Sequence, residues 1–157
     1  MSRRRRAEKR KIDHDPKYKS LVLSKFINKI MLSGKKSLAR KIVYDSLEKF
    51  SQKVNAENPL EAFEQALENA KPTLEVKSRR IGGATYQVPI EIAPDRRTSM
   101  AMRWIIRFSR DKVGRCMIDG LSQELADCYQ NQGSTIKKKD DTHRMAEANR
   151  AFAHYKW

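Results

Sequence analysis

Cysteine, proline and glycine are scarce in this sequence of 157 residues, with 2, 5 and 6 copies, and aromatic residues make up 8% of it. Cys116 and Cys128 are too few and too far apart for a disulfide scaffold or a CxxC metal pair, which points to a reducing compartment and two thiols packed as small apolar groups. No stretch approaches the roughly 18 consecutive apolar residues that a spanning helix needs. No helical stretch joins a basic face to a broad apolar one either, so no membrane partner is expected. The opening Met-Ser-Arg-Arg-Arg-Arg is followed by no apolar segment, and no secretory leader is expected from it.

Residue patterns for catalysis are also missing. His14, His143 and His154 show no metal-ligand spacing with each other or with the cysteines. There is no Gly-x-Ser-x-Gly elbow, and no carboxylate pair lies in an apolar setting that would split its pKa values. Ser33-Gly34-Lys35-Lys36-Ser37 has the end of a phosphate-binding P-loop, but Lys29 stands where the first glycine belongs and no buried strand precedes it. The expectation is no enzyme, no metal and no cofactor.

Acid is the minority charge: 34 Lys and Arg face 19 Asp and Glu, a net charge of +15. Such a field draws polyanions, and nucleic acid is the expected partner. The excess is sorted along the chain. Arg3, Arg4, Arg5, Arg6, Lys9, Arg10, Lys11 and Lys17 crowd residues 1–17 with no apolar periodicity, the pattern of a disordered basic arm that orders on a polyanion. Residues 55–70 do the reverse, carrying Glu57, Glu61, Glu64 and Glu68 without any Lys or Arg. Their spacing predicts a single carboxylate stripe on one helix, facing solvent or a basic protein and away from phosphate.

The most informative stretch is residues 77–92, Lys-Ser-Arg-Arg-Ile-Gly-Gly-Ala-Thr-Tyr-Gln-Val-Pro-Ile-Glu-Ile. Gly82-Gly83 suits a tight hairpin turn. Leu74 and Val76 before the turn, with Val88, Ile90 and Ile92 after it, predict the apolar side of a half-buried strand pair at about 73–92. Lys77, Arg79, Arg80 and Tyr86 arm its tip with groups that suit phosphates and unstacked bases.

Helical periodicity accounts for the rest. Ser20 is a candidate N-cap for a helix with Leu23, Phe26, Ile27, Ile30 and Met31 inward, stopped at Ser33-Gly34. A second, over about 37–54, turns Leu38, Ile42, Val43, Leu47, Phe50 and Val54 inward. Asn58-Pro59 starts a third with Leu60, Phe63, Leu67 and Ala70 inward. Pro94-Asp95 leads into a fourth with Ala101, Trp104, Ile105 and Phe108 inward, and Gly114 separates it from a fifth with Met117, Leu121, Leu125 and Cys128. A last helix at about 141–154 offers Met145, Asn149 and Phe152, with Lys137, Lys138 and Lys139 ahead of it. The predicted fold is mainly α: about six helices bundled in one domain, 18–157, with one protruding β-hairpin and the basic arm, 1–17. A helix-turn-helix DNA reader is the main rival within this class, but the two helices flanking Ser33-Gly34 show no recognition helix dense in Arg, Asn and Gln with an otherwise buried back; a DNA-binding architectural protein is the alternative function.

Three long motifs now acquire a meaning. Phe26-Ile-Asn-Lys-Ile-Met-Leu-Ser-Gly-Lys-Lys-Ser-Leu-Ala-Arg-Lys-Ile-Val-Tyr-Asp-Ser46, the hairpin stretch from Leu74 to Ile92, and the C-terminal stretch from Lys137 to Trp157 resemble the signatures of small-subunit ribosomal protein seven of the bacterial or plastid type. Arg103-Trp-Ile-Ile-Arg107 adds to the likeness. The resemblance implies a primary binder of small-subunit ribosomal RNA that nucleates assembly of the head domain. It also implies neighbours: messenger RNA, exit-site transfer RNA, and small-subunit ribosomal proteins nine and eleven. Carried over, the arm (Arg3, Arg4, Arg5, Arg6, Lys9, Arg10, Lys11), Lys35, Lys36, Arg96 and Arg97 hold ribosomal RNA. Lys77, Arg79, Arg80, Tyr86, Arg144, Arg150, His154 and Tyr155 approach transfer and messenger RNA. The implied compartment is the cytoplasm, on the ribosome, or the plastid stroma.

Overall fold

Ser20 opens the first helix as its spacing predicts, its hydroxyl accepting the Leu23 N–H at 3.3 Å. The computed structural model describes residues 11–155, in which six α-helices, one β-hairpin and a closing 3₁₀ helix follow one another: α1 Leu21–Ile30, α2 Lys36–Val54, α3 Pro59–Ala70, β1 Leu74–Ile81, β2 Ala84–Glu91, α4 Pro94–Arg110, α5 Met117–Tyr129, α6 Gly133–Ala148 and the 3₁₀ helix Arg150–Tyr155. The mainly helical fold with a single antiparallel hairpin is the one the periodicity predicts. The chain divides into two compact units, residues 1–40 and 41–157, the division falling inside α2.

In the first unit α1 buries Leu23, Phe26, Ile27 and Ile30, four of the five residues assigned inward, while Met31 is only half-buried. The end of the expected disordered arm is a hydrogen-bonded turn. Asp15, 2% exposed, accepts the N–H groups of Lys17 and Tyr18 at 3.1 and 3.0 Å, and the Ser24 hydroxyl donates to the Asp13 carbonyl at 2.7 Å.

The second unit packs α3 and α4 against α5, with α6 between α5 and the hairpin. Leu47, Phe50, Phe63, Leu67, Ile92, Met102, Ile105, Leu121 and Leu125 are its largest sealed side chains. α3 starts as composition dictates: Asn58 Oδ1 accepts the Leu60 N–H at 3.1 Å and Pro59 takes the first position, where its missing donor costs nothing. α4 and α5 approach closely at Gly120, where a Cβ would sit 2.6 Å from the Ser109 carbonyl oxygen.

Four inward faces differ from expectation. α4 buries Ala101, Met102, Ile105, Ile106 and Ser109, while Trp104 and Phe108 are half-exposed at the margin of that stripe. Small residues at 101 and 109 admit the neighbouring helix, and two large rings would hold it off. In α2, Leu38 is exposed while Val43, Leu47 and Phe50 are buried. In α5, Leu121, Leu125 and Cys128 are buried but Met117 is half-exposed; burial pushes the Cys128 thiol up to about 12.

The fourth difference is the last helix, which begins eight residues earlier than 141 and is α-helical only to Ala148. Its inward residues are Thr135, Ile136, Thr142 and Ala146, and Met145 is exposed. The reason lies in another helix. Fully buried Glu124 of α5 accepts the Thr135 N–H at 3.0 Å and the Thr135 hydroxyl at 2.7 Å, capping α6 from a distance. Its other oxygen has no well-angled hydrogen bond, and the Lys112 ammonium at 2.9 Å supplies the counter-charge.

Candidate nucleic-acid interface

A hairpin has two faces, and strand pairing decides which side chains share one. Leu74 pairs with Glu91, Lys77 with Val88, Arg79 with Tyr86 and Arg80 with Thr85. Glu75, Lys77, Arg79 and Ile81 therefore share a face with Tyr86, Val88 and Ile90. Leu74, Val76, Ser78 and Arg80 share the other with Thr85, Gln87 and Pro89. The expected apolar side is thus split: Leu74 and Val76 lie opposite to Val88 and Ile90, because alternation within each strand does not reveal the parity between them. Gly82 and Gly83, at φ 56° and 92°, form the expected tight turn.

The first face is the packed one. It rests on α6 and the 3₁₀ helix, with Val88 and Glu75 buried. The Glu75 carboxylate takes a two-pronged grip from Arg96 of α4, Nε to Oε1 at 3.1 Å and Nη2 to Oε2 at 2.8 Å, with Lys77 Nζ at 3.7 Å. Arg97 Nε donates to the Ile92 carbonyl at 2.7 Å. Both arginines assigned to RNA thus also fasten the base of the hairpin to α4, and the Arg96 guanidinium remains half-exposed.

The second face is open. Ser78, Arg80, Thr85 and Gln87 are all exposed, and the Ser78 hydroxyl donates to Gln87 Oε1 at 3.0 Å. Arg79, on the packed side, is half-buried. At the C-terminal end Arg150 and His154 are exposed, Arg144 is ion-paired with Asp141, and His154 Nδ1 lies 2.9 Å from the Ala151 carbonyl. Tyr86 and Tyr155, both expected near transfer and messenger RNA, are in ring contact with each other, their centroids 5.2 Å apart.

Lys137, Lys138 and Lys139 lie inside α6 and not ahead of it, so successive side chains point about 100° apart. Lys139 Nζ donates to the Asn69 carbonyl at 2.8 Å. In the first unit Lys35, just before α2, and Lys36, its first residue, are exposed, and so is Lys11. Arg3, Arg4, Arg5, Arg6, Lys9 and Arg10 lie outside the described residues. Glu57, Glu61, Glu64 and Glu68 are all exposed, but only the last three lie on α3, since Glu57 precedes its N-cap Asn58; Glu57 and Glu61 line an open groove of about 640 Å³ together with Asn58, Gln65 and Tyr129. No cation lines that groove.

The sequence does not single out Glu75, Phe152 or His143 as site-builders. His143 Nε2 accepts the Thr73 N–H at 3.0 Å, tying the start of the hairpin to α6. Burial, then the nearby Lys139 charge, lowers its pKa. Phe152 leaves a trace as an expected inward residue of the last helix, whereas Glu75 stands between Leu74 and Val76 where the alternation expects a polar residue and so gives no signal. Among the described residues no group of three His, Cys, Asp or Glu side chains could hold a metal, and no helix is long and apolar enough to cross a membrane.

The profile of the family described as Ribosomal protein S7p/S5e matches residues 2–150. The chain belongs to that family. Over all 157 residues, and over the full length of each relative, it is 75% identical to the small ribosomal subunit protein uS7 of Protochlamydia amoebophila and 67% identical to that of Chlamydia trachomatis serovar D. Identity to the Chlamydia felis protein of the same name is 66%, again over both full chains. The S7p/S5e match covers the hairpin, α4 and all of α6, the elements on which the cations described above are mounted.

Proposed function

We propose that this chain is a structural, RNA-binding constituent of the small ribosomal subunit, carried in a bacterial cytoplasm. The observation that carries the reading is the end-to-end likeness to relatives bearing that name. Its finer parts are that the chain binds small-subunit ribosomal RNA as a primary binder and nucleates the head domain. Messenger RNA, exit-site transfer RNA and small-subunit ribosomal proteins nine and eleven are its neighbours. The open hairpin face, with Arg80 exposed, supports the placement near RNA, as does the absence of any cation from α3. Phosphate neutralisation supplies most of the affinity and RNA shape the selectivity.

Sedimentation of cell extract tests the assignment: the chain travels with the small subunit, and recovery only at the top of the gradient overturns it. Salt tests the mechanism. With on the order of 6–10 phosphates engaged, affinity for ribosomal RNA falls about 10³–10⁵-fold between roughly 50 and 200 mM salt. Duplex DNA that competes as well as the RNA head domain would favour an architectural DNA binder instead.

A further inference from the structure

Tyr86 sits near the hairpin tip with its ring centroid 5.3 Å from that of Phe152 and 5.2 Å from that of Tyr155, at interplanar angles of 55° and 40°. His154 lies 3.9 Å from Tyr155 and completes the cluster. A two-stranded ribbon is marginal by itself, and a six-residue 3₁₀ helix with no fully buried residue has little to hold it in place. Each supplies the surface the other lacks. Phe152 is half-buried and its side chain has no polar atom.

We infer that Phe152 is a positioning residue for the RNA-binding tip: its contact with Tyr86 pins the hairpin to the C-terminal 3₁₀ helix and fixes the direction in which the open face with Arg80 points. The inference rests on the proposed reading of the tip as an RNA contact. The ring pair acts on the packed face, opposite the side it serves, and an untethered ribbon would carry the same cations through a wide cone.

The test uses the full chain, with Phe152→Ala, the conservative Phe152→Tyr, and Arg80→Ala as comparison. Amide hydrogen exchange is read over β1 and β2 in the free protein, and affinity for a fluorescein-labelled oligouridylate by anisotropy. Phe152→Ala is expected to speed exchange in the strands about 2- to 10-fold, the equivalent of one aromatic pair, while α3 and α5 keep their protection. Affinity falls with it, and Phe152→Tyr restores both. Unchanged strand exchange in Phe152→Ala overturns the inference, as does faster exchange with unchanged affinity when Arg80→Ala weakens binding. If Arg80→Ala leaves affinity intact, it is the reading of the tip as an RNA contact that fails. Should the alanine variant not fold, Phe152→Leu, which keeps the apolar volume and removes the ring, is read in the same way.

Discussion

Arg79 and Arg80 are neighbours in sequence and belong to opposite faces of the hairpin, Arg79 across from Tyr86 on the packed side and Arg80 across from Thr85 on the open side. Their substitutions therefore differ in kind. Arg80→Ala is expected to weaken RNA binding across sequences and to lower the salt slope by about 1, the loss of one phosphate contact. Arg79→Ala acts on the packing of the tip and speeds amide exchange there. Equal slopes and equal exchange in the two variants would overturn the assignment of faces.

Removing a buried acceptor strands its donors. Glu124→Ala is expected to cost about 1–3 kcal/mol for each Thr135 donor left without an acceptor, read in urea denaturation, while Lys112 keeps Asp127 at 3.3 Å. Glu124→Gln keeps an oxygen for Thr135 and loses less. A cost for the alanine variant within about 1 kcal/mol would mean that the site behaves as an exposed one.

His143 carries a pH dependence whose sign follows from its lowered pKa. The folded chain favours the neutral ring, which accepts from Thr73, so between the folded value and the ordinary 6.5 the unfolded chain holds the extra proton. The contribution is complete above 6.5 and is lost as pH falls below it. Melting temperatures of wild type are expected to drop more steeply over that window than those of His143→Gln. Parallel curves would remove His143 as the source.

In α4 the burial pattern sets the order of two substitutions. Ile105, fully buried, is expected to cost about 2–5 kcal/mol when cut to alanine. Trp104, at the margin of the stripe, costs less although it is larger. A greater loss for Trp104→Ala would restore the face that periodicity alone predicts.

Much of the fold is legible because its signals are local. Gly82-Gly83 encodes its turn, Ser20 and Asn58-Pro59 encode their caps, and Glu61, Glu64 and Glu68 encode an exposed stripe on α3. What is not legible depends on partners far along the chain. The start of α6 is set by Glu124, eleven residues before Thr135 and on another helix, while its own N-cap, Gln132, makes no side-chain capping bond. The hairpin faces depend on pairing parity, which neither strand carries by itself. The α4 stripe is rotated by a close approach at Gly120 that only two packed helices create. Of the candidate site, the basic positions can be read from composition, but not that Arg96 and Arg97 also fasten the hairpin, nor that Tyr86 and Tyr155 touch each other.

Glu124 has a consequence for how the molecule breathes. An acid sealed from water holds the first turn of α6 on one oxygen and the linker residue Lys112 on the other, so releasing either neighbour leaves a buried oxygen without its partner. Fraying, the habit of ordinary helix ends, is therefore suppressed at Thr135. The 111–115 connection, the middle of α5 and the first turn of α6 loosen together, as one cooperative block, or stay closed.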